Sequence, residues 1–317
     1  MGNRRIIYLL EPFQFPAGGV ATIYRHVEIL NSHGMPAVVA LSKRPSRDFY
    51  DTTAPLLIHG AKFRMEARTG DIFVIPEGFP DHVKALMGTP AKRLMFCQNQ
   101  YNLPFSTNAQ ASVDEFNVHG IIASSEAVRN FFKDVYRIPD LPILPYAIDP
   151  VRFRPAARKE RRVAFMPRKL PHEAAFIASV FKRRYPRHVR VPWIAIQNVS
   201  VSQAAAMMAE SDVFLSLSHR ESFGLPPLEA MACGCLVAGY HGDGGREYMN
   251  ETNGWWAETG NWKAATEGLA AALDLLEAGG PELDLRRQEM ISTVKRYSPA
   301  RLESALIAFW KKELETQ

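Results

Sequence analysis

The stretch SDVFLSLSHRESFGLPPLEAMACGCLVAGYHGDGG, residues 211–245, decides how this chain is organised. It opens with a short apolar run of strand-forming residues, Val213–Leu217, which is typical of a strand buried in a parallel sheet. A Ser-Phe-Gly turn follows, and then a Pro-Pro helix start and a run of helix formers that ends at Gly234. The pattern predicts a strand, a sharp loop, a helix of about two turns that opens at Pro226 and Pro227 and continues over Leu228–Cys233, and a second strand.

Two glutamates, Glu221 and Glu229, stand eight positions apart in this stretch. The helix start between them should expose backbone N–H groups, from about Gly224 to Leu228, and the positive end of the helix dipole, which together favour a phosphate. Glu221 follows the strand at its carboxyl end, where open α/β sheets bind ligands. Because a carboxylate accepts hydrogen bonds from vicinal hydroxyls, one carboxylate on each side of a phosphate site predicts a nucleotide sugar.

The segment ESFGLPPLEAMACG resembles the E-x7-E motif of the retaining glycosyltransferases of family 4, which have the GT-B fold. The resemblance implies that Glu221 contacts hydroxyls of the transferred sugar and that Glu229 binds the ribose hydroxyls of the nucleotide. It also implies that backbone amides between them hold the diphosphate. The donor-binding residues predicted in this loop are Ser222, Phe223, Gly224 and Leu225.

The amino-terminal sequence predicts the opening of a second doubly wound domain. A strand at Arg5–Leu10 leads into a loop with Gly18 and Gly19, a helix from about Val20 to Asn31, and a strand at Ala37–Leu41. The glycine pair is not a G-x-G-x-x-G fingerprint, so a plain turn before a helix stays an alternative. By resemblance, this loop lies under the donor phosphates. Gly244, in a later glycine turn, is predicted to bring a backbone amide to the same phosphates.

Polar residues follow other predicted strands of the first half. Glu77 comes after Asp71–Ile75, and Gln98 and Gln100 come after Arg93–Cys97. We expect Gln98 or Gln100 to lie near the sugar. Glu77 is a candidate for contact with the acceptor, with a solvated loop carboxylate as the favoured alternative. The resembled family tends to have a histidine near the second of these strand ends, and this chain has glutamines there instead.

Arg168 and Lys169 follow a predicted strand at Arg162–Met166. In the resembled family an Arg after this strand and a Lys about five residues later neutralise the leaving diphosphate. Arg168 matches by position, but the fifth residue on is Glu173. Lys169 is therefore predicted to supply the second charge. With Glu221, these two residues form the predicted catalytic set.

The length of 317 residues favours two domains. The fold class expected is α/β of the GT-B type, two Rossmann-like doubly wound domains facing a central cleft. We predict an acceptor-side domain over residues 1–147, a nucleotide-sugar-binding domain over 148–298, and a terminal helix, 299–317, that crosses back to the first domain. The extended, proline-rich segment around Pro145–Pro150 is the predicted hinge.

The net charge of +5 conceals a basic segment: residues 148–205 hold 13 Lys or Arg and 3 Asp or Glu. Its densest part, Phe181–Arg190, could contact anionic lipid, or could be the solvated end of a helix. No RNA-binding motif surrounds it, so no nucleic-acid partner is predicted. No apolar run approaches the roughly 18 residues of a membrane span. We expect a cytoplasmic protein, with peripheral contact at the inner face of the membrane left open.

The three cysteines are Cys97, Cys233 and Cys235, each in apolar surroundings. An odd number of such residues predicts buried thiols in a reducing compartment. The Cys-Gly-Cys pair lacks a nearby third ligand, and no Asp-x-Asp motif follows a strand. Neither a metal nor a cofactor is predicted.

The function predicted from these residues is sugar transfer without a metal. A retaining transferase would move a sugar from a UDP- or GDP-type donor to an unknown acceptor, which could be a glycan, a lipid-linked molecule or a small molecule. Two alternatives stay open: a non-catalytic nucleotide-sugar-binding protein and a GT-B sugar-nucleotide epimerase. A dinucleotide oxidoreductase is disfavoured because the chain has no proper fingerprint and no acidic ribose ligand after the first strand.

Overall fold

The computed structural model describes most of the chain, namely residues 4–12, 16–45, 49–60, 67–103 and 113–315. It divides into two compact units. Unit 1 comprises Met1–Tyr146 and Ala300–Gln317, and unit 2 comprises Ala147–Pro299. The chain therefore passes from one unit to the other twice.

In its described residues, unit 1 is built on a parallel sheet with the strand order β3-β2-β1-β4-β5-β6. The strands are β1 Ile6–Leu10, β2 Ala37–Leu41, β3 Leu56–Ile58, β4 Ile72–Pro76, β5 Lys92–Cys97 and β6 Gly120–Ala123. The helices are α1 Gly18–Ser32, α2 Pro80–Leu86 and α3 Glu126–Tyr136. This order is that of a Rossmann-like sheet, in which the connections change direction between β1 and β4.

The apolar pattern of the sequence explains why these segments fold as they do. Every residue of β1 and of β4 is buried, as expected for central strands covered on both faces. In α1 the buried positions include Val20, Ile23 and Val27, which repeat at the spacing of one helix face. Ser125 caps α3 by accepting a hydrogen bond from the Val128 amide, which confirms the predicted helix start.

The terminal helix, α9 (Pro299–Glu315), belongs to unit 1 from Ala300 onward. It buries Leu302, Leu306 and Trp310, which lie on one face because they are spaced by four residues. The Trp310 ring contacts Tyr8 of β1 edge to face, with ring centroids 6.3 Å apart. The last turns of the chain thus complete the core beneath the first strand.

Unit 2 has a second parallel sheet, with the order β8-β7-β9-β10-β11 in the described residues. Its strands are β7 Glu160–Phe165, β8 Trp193–Ala195, β9 Ser211–Leu217, β10 Leu236–Tyr240 and β11 Trp255–Ala257. Its helices are α4 Pro171–Arg184, α5 Val201–Ala209, α6 Leu225–Ala232, α7 Trp262–Ala278 and α8 Pro281–Lys295. Counted within the unit the order is 2-1-3-4-5, that of the other common doubly wound sheet, so its switch point lies between β7 and β9.

One predicted helix start was wrong by two residues. Helix α1 begins at Gly18 rather than Val20, so Gly18 and Gly19 form its first turn instead of a preceding loop. Helix α6 begins at Leu225, and Pro226 and Pro227 lie in its first turn, as predicted.

Candidate functional site

The switch point of unit 2 brings together two residues that are far apart in sequence. Lys169 follows the carboxyl end of β7, and Glu221 follows that of β9. These strands pair directly, and the Lys169 Nζ lies 2.9 Å from the Glu221 Oε1. Both side chains are partly exposed, at 35% and 19%. An ion pair open to solvent at a switch point stands where ligands bind in such sheets.

The loop after Glu221 is held in a fixed shape by its neighbours. Gly224, the residue before α6, has a φ of +84°, a left-handed conformation that favours glycine. Its carbonyl accepts a hydrogen bond from the hydroxyl of buried Tyr248. The Phe223 ring packs against Tyr248 and Tyr297, with centroid separations of 5.2 and 5.1 Å. The backbone between Glu221 and α6 is therefore preorganised.

Helix α6 offers fewer backbone donors than we predicted. Pro226 and Pro227 occupy its first turn and carry no N–H group. The donors left at this end are the amides of Gly224 and Leu225, for which the described part of the chain supplies no hydrogen-bond acceptor. These two amides, with the positive end of the helix dipole, favour an anion beside Glu221.

Glu229 is the fifth residue of α6, two positions after Pro227. Desolvation by burial raises the pKa of its carboxyl from the usual 4.5 to about 7, the charge of Glu221 acts in the same direction, and Arg152 acts against both. The pKa of the Glu229 carboxyl thus lies close to neutral pH. A ligand that donates hydrogen bonds to it would favour its ionised form.

Gly244 does not offer its amide to a ligand in this structure, which corrects our prediction. Its N–H donates to the carbonyl oxygen of Glu221, at 2.8 Å. Any Cβ at this position would overlap the backbone of Ser222 and Phe223. Glycine is required here because two backbone segments touch, and the contact supports the loop.

Arg168 is exposed in the turn between β7 and α4, next to Lys169. Glu173, which stands where the resembled family has its lysine, lies in the first turn of α4 and accepts a hydrogen bond from the Tyr240 hydroxyl. Its carboxylate is thereby tied to the end of β10. The cation that contacts Glu221 is Lys169, which lies four residues before Glu173 in the sequence.

The candidates of unit 1 form a separate group around Gln98. The Gln98 Nε2 donates to the Gly19 carbonyl at 3.1 Å, and its side chain lies where a Cβ of Gly19 would be. The backbone N–H of Gln98 donates a hydrogen bond to the Glu77 Oε2 at 3.0 Å. Gly18 is exposed at the helix start, and Gln100 is the buried first residue of a 3₁₀ turn. Gln98 thus joins the start of α1 to the end of β4.

Glu77 is buried, so the alternative of a solvated loop carboxylate was wrong. Its Oε2 accepts the Gln98 amide, and its Oε1 lies 3.4 Å from the Asn102 side-chain amide. Burial raises the pKa of this carboxyl, and these hydrogen bonds oppose the rise. Glu77 fixes the turn after β5.

Acidic side chains of α7 neutralise part of the positive charge of the basic segment, residues 148–205, in the folded protein. Arg184 forms an ion pair with Glu267 of α7 at 2.9 Å, and Arg187 pairs with Asp274 of the same helix. Arg183 donates to a carbonyl of its own helix. These pairs favour the solvated helix end over a lipid-binding patch. Across the described ranges, no helix has the length and apolar character that crossing a membrane would require.

Cys233 and Cys235 are buried, and their thiols face backbone carbonyls of the α5 region. Burial raises the pKa of the Cys235 thiol to about 11 and raises that of Cys233 as well. Such thiols are protonated at neutral pH and are poor metal ligands. They act as small apolar side chains in the core.

Tyr248 and Arg152 are parts of the candidate site that were not predicted from the sequence. Tyr248 anchors the Gly224 carbonyl, and Arg152 acts electrostatically on Glu229. Neither residue belongs to a motif. Arg152 lies just past the predicted hinge, and only its cationic charge beside an expected phosphate site could have drawn attention to it.

Comparison with known proteins finds similarity within unit 2. Residues 183–283, which lie in this unit, match the family model Glycosyl transferases group 1. One related protein is the alpha-1,6-glucosyltransferase of Actinobacillus pleuropneumoniae serotype 7 (strain AP76). It is 25% identical over 265 residues, which cover 81% of this chain and 80% of the relative.

Two solved structures show the same fold over nearly the whole chain. Sucrose-phosphate synthase from Thermosynechococcus elongatus matches with a TM-score of 0.74 at 12% identity, covering 99% of this chain and 100% of that one. Anabaena HepE in complex with UDP-glucose matches with a TM-score of 0.69 at 15% identity, covering 97% and 99%. The predicted fold class is confirmed: two Rossmann-like units with parallel sheets, of the GT-B type.

Proposed function

We propose that this protein is a retaining glycosyltransferase that moves glucose from UDP-glucose to the hydroxyl of a glycan, lipid-linked or small-molecule acceptor. The observation that carries the proposal is the contact of Lys169 with Glu221, beside the two amides at the start of α6. A cation, two N–H donors and a carboxylate are the groups that a sugar diphosphate needs. The Anabaena neighbour was solved with UDP-glucose, and the Actinobacillus relative is named a glucosyltransferase.

In the proposed reaction the bond between the anomeric carbon and the diphosphate oxygen breaks, and its electron pair leaves with the diphosphate. Lys169 and Arg168, with the amides of Gly224 and Leu225, stabilise the negative charge that grows there. The acceptor oxygen attacks the anomeric carbon from the side that the diphosphate leaves, and the leaving phosphate takes the acceptor proton. The configuration is thereby retained. Since protein cations neutralise the diphosphate, the step needs no metal ion.

Glu221 and Glu229 hold the donor in this proposal. Glu221 accepts hydrogen bonds from the transferred sugar, while Lys169 shifts from Glu221 toward the diphosphate. Glu229 accepts from the ribose hydroxyls in its ionised form. The relative's name specifies an alpha linkage, and UDP-glucose is itself alpha-linked, so the same product here would mean retention.

Donor binding is tested by thermal shift with UDP, UDP-glucose, GDP and GDP-mannose on the wild type and on Glu229→Ala. Ligand at about 100 times its dissociation constant should add roughly 2.7 kcal/mol to the unfolding free energy of the fold that binds it. We expect stabilisation by the uridine ligands alone, and its loss in the variant. A wild type that responds to none of the four ligands would refute the donor site.

Transfer is tested by incubating the protein with UDP-glucose and a panel of sugar and lipid-linked acceptors, with and without a chelator. An alpha-linked product in the NMR spectrum, formed equally with the chelator, is the expected result. A beta-linked product would refute retention, and loss of turnover in the chelator would refute metal independence. Conversion of UDP-glucose to another nucleotide sugar without acceptor would indicate an epimerase, and binding without turnover would indicate a non-catalytic binder.

A further inference from the structure

Three residues of unit 1, outside the donor site, bring metal-ligating atoms close together. They are Glu11, His59 and His82, and one ligand atom of each lies within 4.8 Å of the other two. The His82 Nε2 is 3.2 Å from the Glu11 Oε1. All three residues are partly exposed, while the Nε2 of His59 is itself buried.

The sheet order explains how residues so distant in sequence meet. Leu10, Leu41 and Ile58 end β1, β2 and β3 in register, so the residues that follow them form a row at the carboxyl edge of the sheet. Glu11 and His59 are the outer members of this row, with Ser42 between them. His82 reaches the same place from the first turn of α2.

Neighbouring groups orient two of the three ligands. Ser42 donates its hydroxyl to the Glu11 Oε2 at 2.6 Å, which leaves the Oε1 directed toward His82. The His59 Nδ1 lies 2.8 Å from the Gly60 carbonyl, which can only accept, so the proton of a neutral His59 is on Nδ1. The Nε2 of that tautomer carries a lone pair. Histidine and carboxylate ligands of metal ions usually form hydrogen bonds of this kind through the nitrogen or oxygen that does not bind the metal.

We infer that Glu11, His59 and His82 form a binding site for a divalent transition metal ion of the zinc type. Two imidazole nitrogens and one carboxylate oxygen suit Zn²⁺, with water at the fourth position. Tetrahedral bonds of about 2.0 to 2.2 Å place ligand atoms about 3.4 Å apart. The Glu11 to His82 separation already meets that value, and a small movement of His59 completes the set. The ion would join the ends of β1 and β3 to α2, in unit 1 and outside the donor-binding residues proposed for unit 2.

The test is a titration of the untagged, metal-stripped full-length protein with Co²⁺ and then Zn²⁺. We expect the intense visible absorption of four-coordinate Co²⁺, its displacement by Zn²⁺, and a rise of several degrees in Tm with Zn²⁺. Each of Glu11→Gln, His59→Gln and His82→Gln should weaken binding at least tenfold. Ser42→Ala, which removes only a hydrogen bond to Glu11, should weaken it less.

The matched control is His33→Gln. His33 also pairs with a glutamate in unit 1, at 3.2 Å from Glu303, but it belongs to a pair and not to a group of three. This variant should bind Co²⁺ as the wild type does. Absence of four-coordinate absorption in the wild type, or equal binding by all three ligand variants, would overturn the site. Because the wild-type titration decides alone, a variant that fails to fold leaves the test valid.

Discussion

Lys169 reaches the candidate site because the strand that precedes it, β7, pairs with the strand that precedes Glu221, β9. In the sequence Lys169 is a charged residue in a loop beside Arg168. In the structure its Nζ lies 2.9 Å from the Glu221 Oε1 because of this strand pairing. Sequence spacing alone predicted Lys169 as the second cation only because the fifth residue after Arg168 is a glutamate and not a lysine. The strand pairing supplies the physical reason, because it brings two carboxyl ends together at one switch point.

Replacing Lys169 by methionine should lower kcat for transfer by about 100- to 1,000-fold, the cost of losing one group that stabilises charge in the transition state. Because the pair is partly exposed, the change in unfolding free energy should stay below about 1 kcal/mol. Steady-state kinetics and thermal denaturation measure both effects. Lys182→Met, on the exposed end of α4, should leave kcat unchanged. Equal kcat in both variants would exclude a catalytic role for Lys169.

Glu229 should make the stability of the ligand-free protein depend on pH. Its folded-state pKa, about 7, lies above the usual 4.5, so its contribution is fully favourable below about pH 4.5 and is lost as the pH rises through 7. Glu229→Gln should therefore exceed the wild type in unfolding free energy at about pH 8, by roughly 1 to 3 kcal/mol, and should match it near pH 5. Denaturant unfolding at both values measures the difference, and a gap that widens toward low pH would contradict the assignment.

The ionisation of Glu229 should also govern the affinity for the donor. This affinity should rise with pH, whereas the contribution of Glu229 to stability should fall. If the ribose requires an ionised Glu229, the affinity for UDP-glucose should rise roughly tenfold between about pH 6 and pH 8. UDP-glucose is the proper probe because its diphosphate, blocked at both ends, does not titrate in this range. Calorimetry on wild type and Glu229→Gln tests the idea. An equal pH dependence in both proteins would show that another group titrates.

At the scale of elements, the loop between β9 and α6 depends on a neighbouring turn. Gly244 donates its amide to Glu221 and leaves no room for a Cβ against Ser222 and Phe223. The sequence marked Gly244 as a phosphate donor, because glycine turns after strands often hold phosphates. Only the structure shows that this glycine is needed for contact between two loops. Loop-to-loop contacts of this kind leave no periodic signal in a sequence.

Gly244→Ala should push the loop away from its bound shape and weaken UDP-glucose binding at least tenfold. The added methyl group would meet backbone atoms, which cannot turn aside as a side chain can. Gly78→Ala is the control, since a Cβ there would meet its nearest neighbour at an ordinary 3.8 Å. Calorimetric titration of both variants provides the comparison. If Gly244→Ala binds as tightly as the control, the loop does not need this support.

At the scale of the whole molecule, much of the fold followed from apolar runs and their spacing. The buried strands β1, β2 and β9 appear in the sequence as short runs of Val, Ile, Leu and Phe, and a parallel α/β arrangement followed from the helices between them. The candidate sites were harder to predict from the sequence. The group of Glu11, His59 and His82 depends on the order in which strands line up, which local sequence does not encode.

Trp310 should be critical for unit 1 and unimportant for donor binding in unit 2. It is fully buried against Tyr8, and its truncation to alanine should cost about 3 to 5 kcal/mol of unfolding free energy. Trp262, at 37% exposed on α7, is the matched control and should cost far less. Thermal denaturation, with and without UDP-glucose at a temperature where the variant is folded, separates the two effects. A Trp310→Ala protein as stable as Trp262→Ala would contradict the core role of α9.

The docking of α9 on β1 also constrains how the protein is made. Unit 2 is continuous in sequence, so every residue it needs has been synthesised before the last helix begins. Unit 1 waits for Leu302, Leu306 and Trp310, which are synthesised only after all of unit 2. Domains ordinarily fold in order of their emergence during translation. Here the unit whose translation starts first is the last to finish folding, and until α9 is made its first strand lacks the contact of Trp310 with Tyr8.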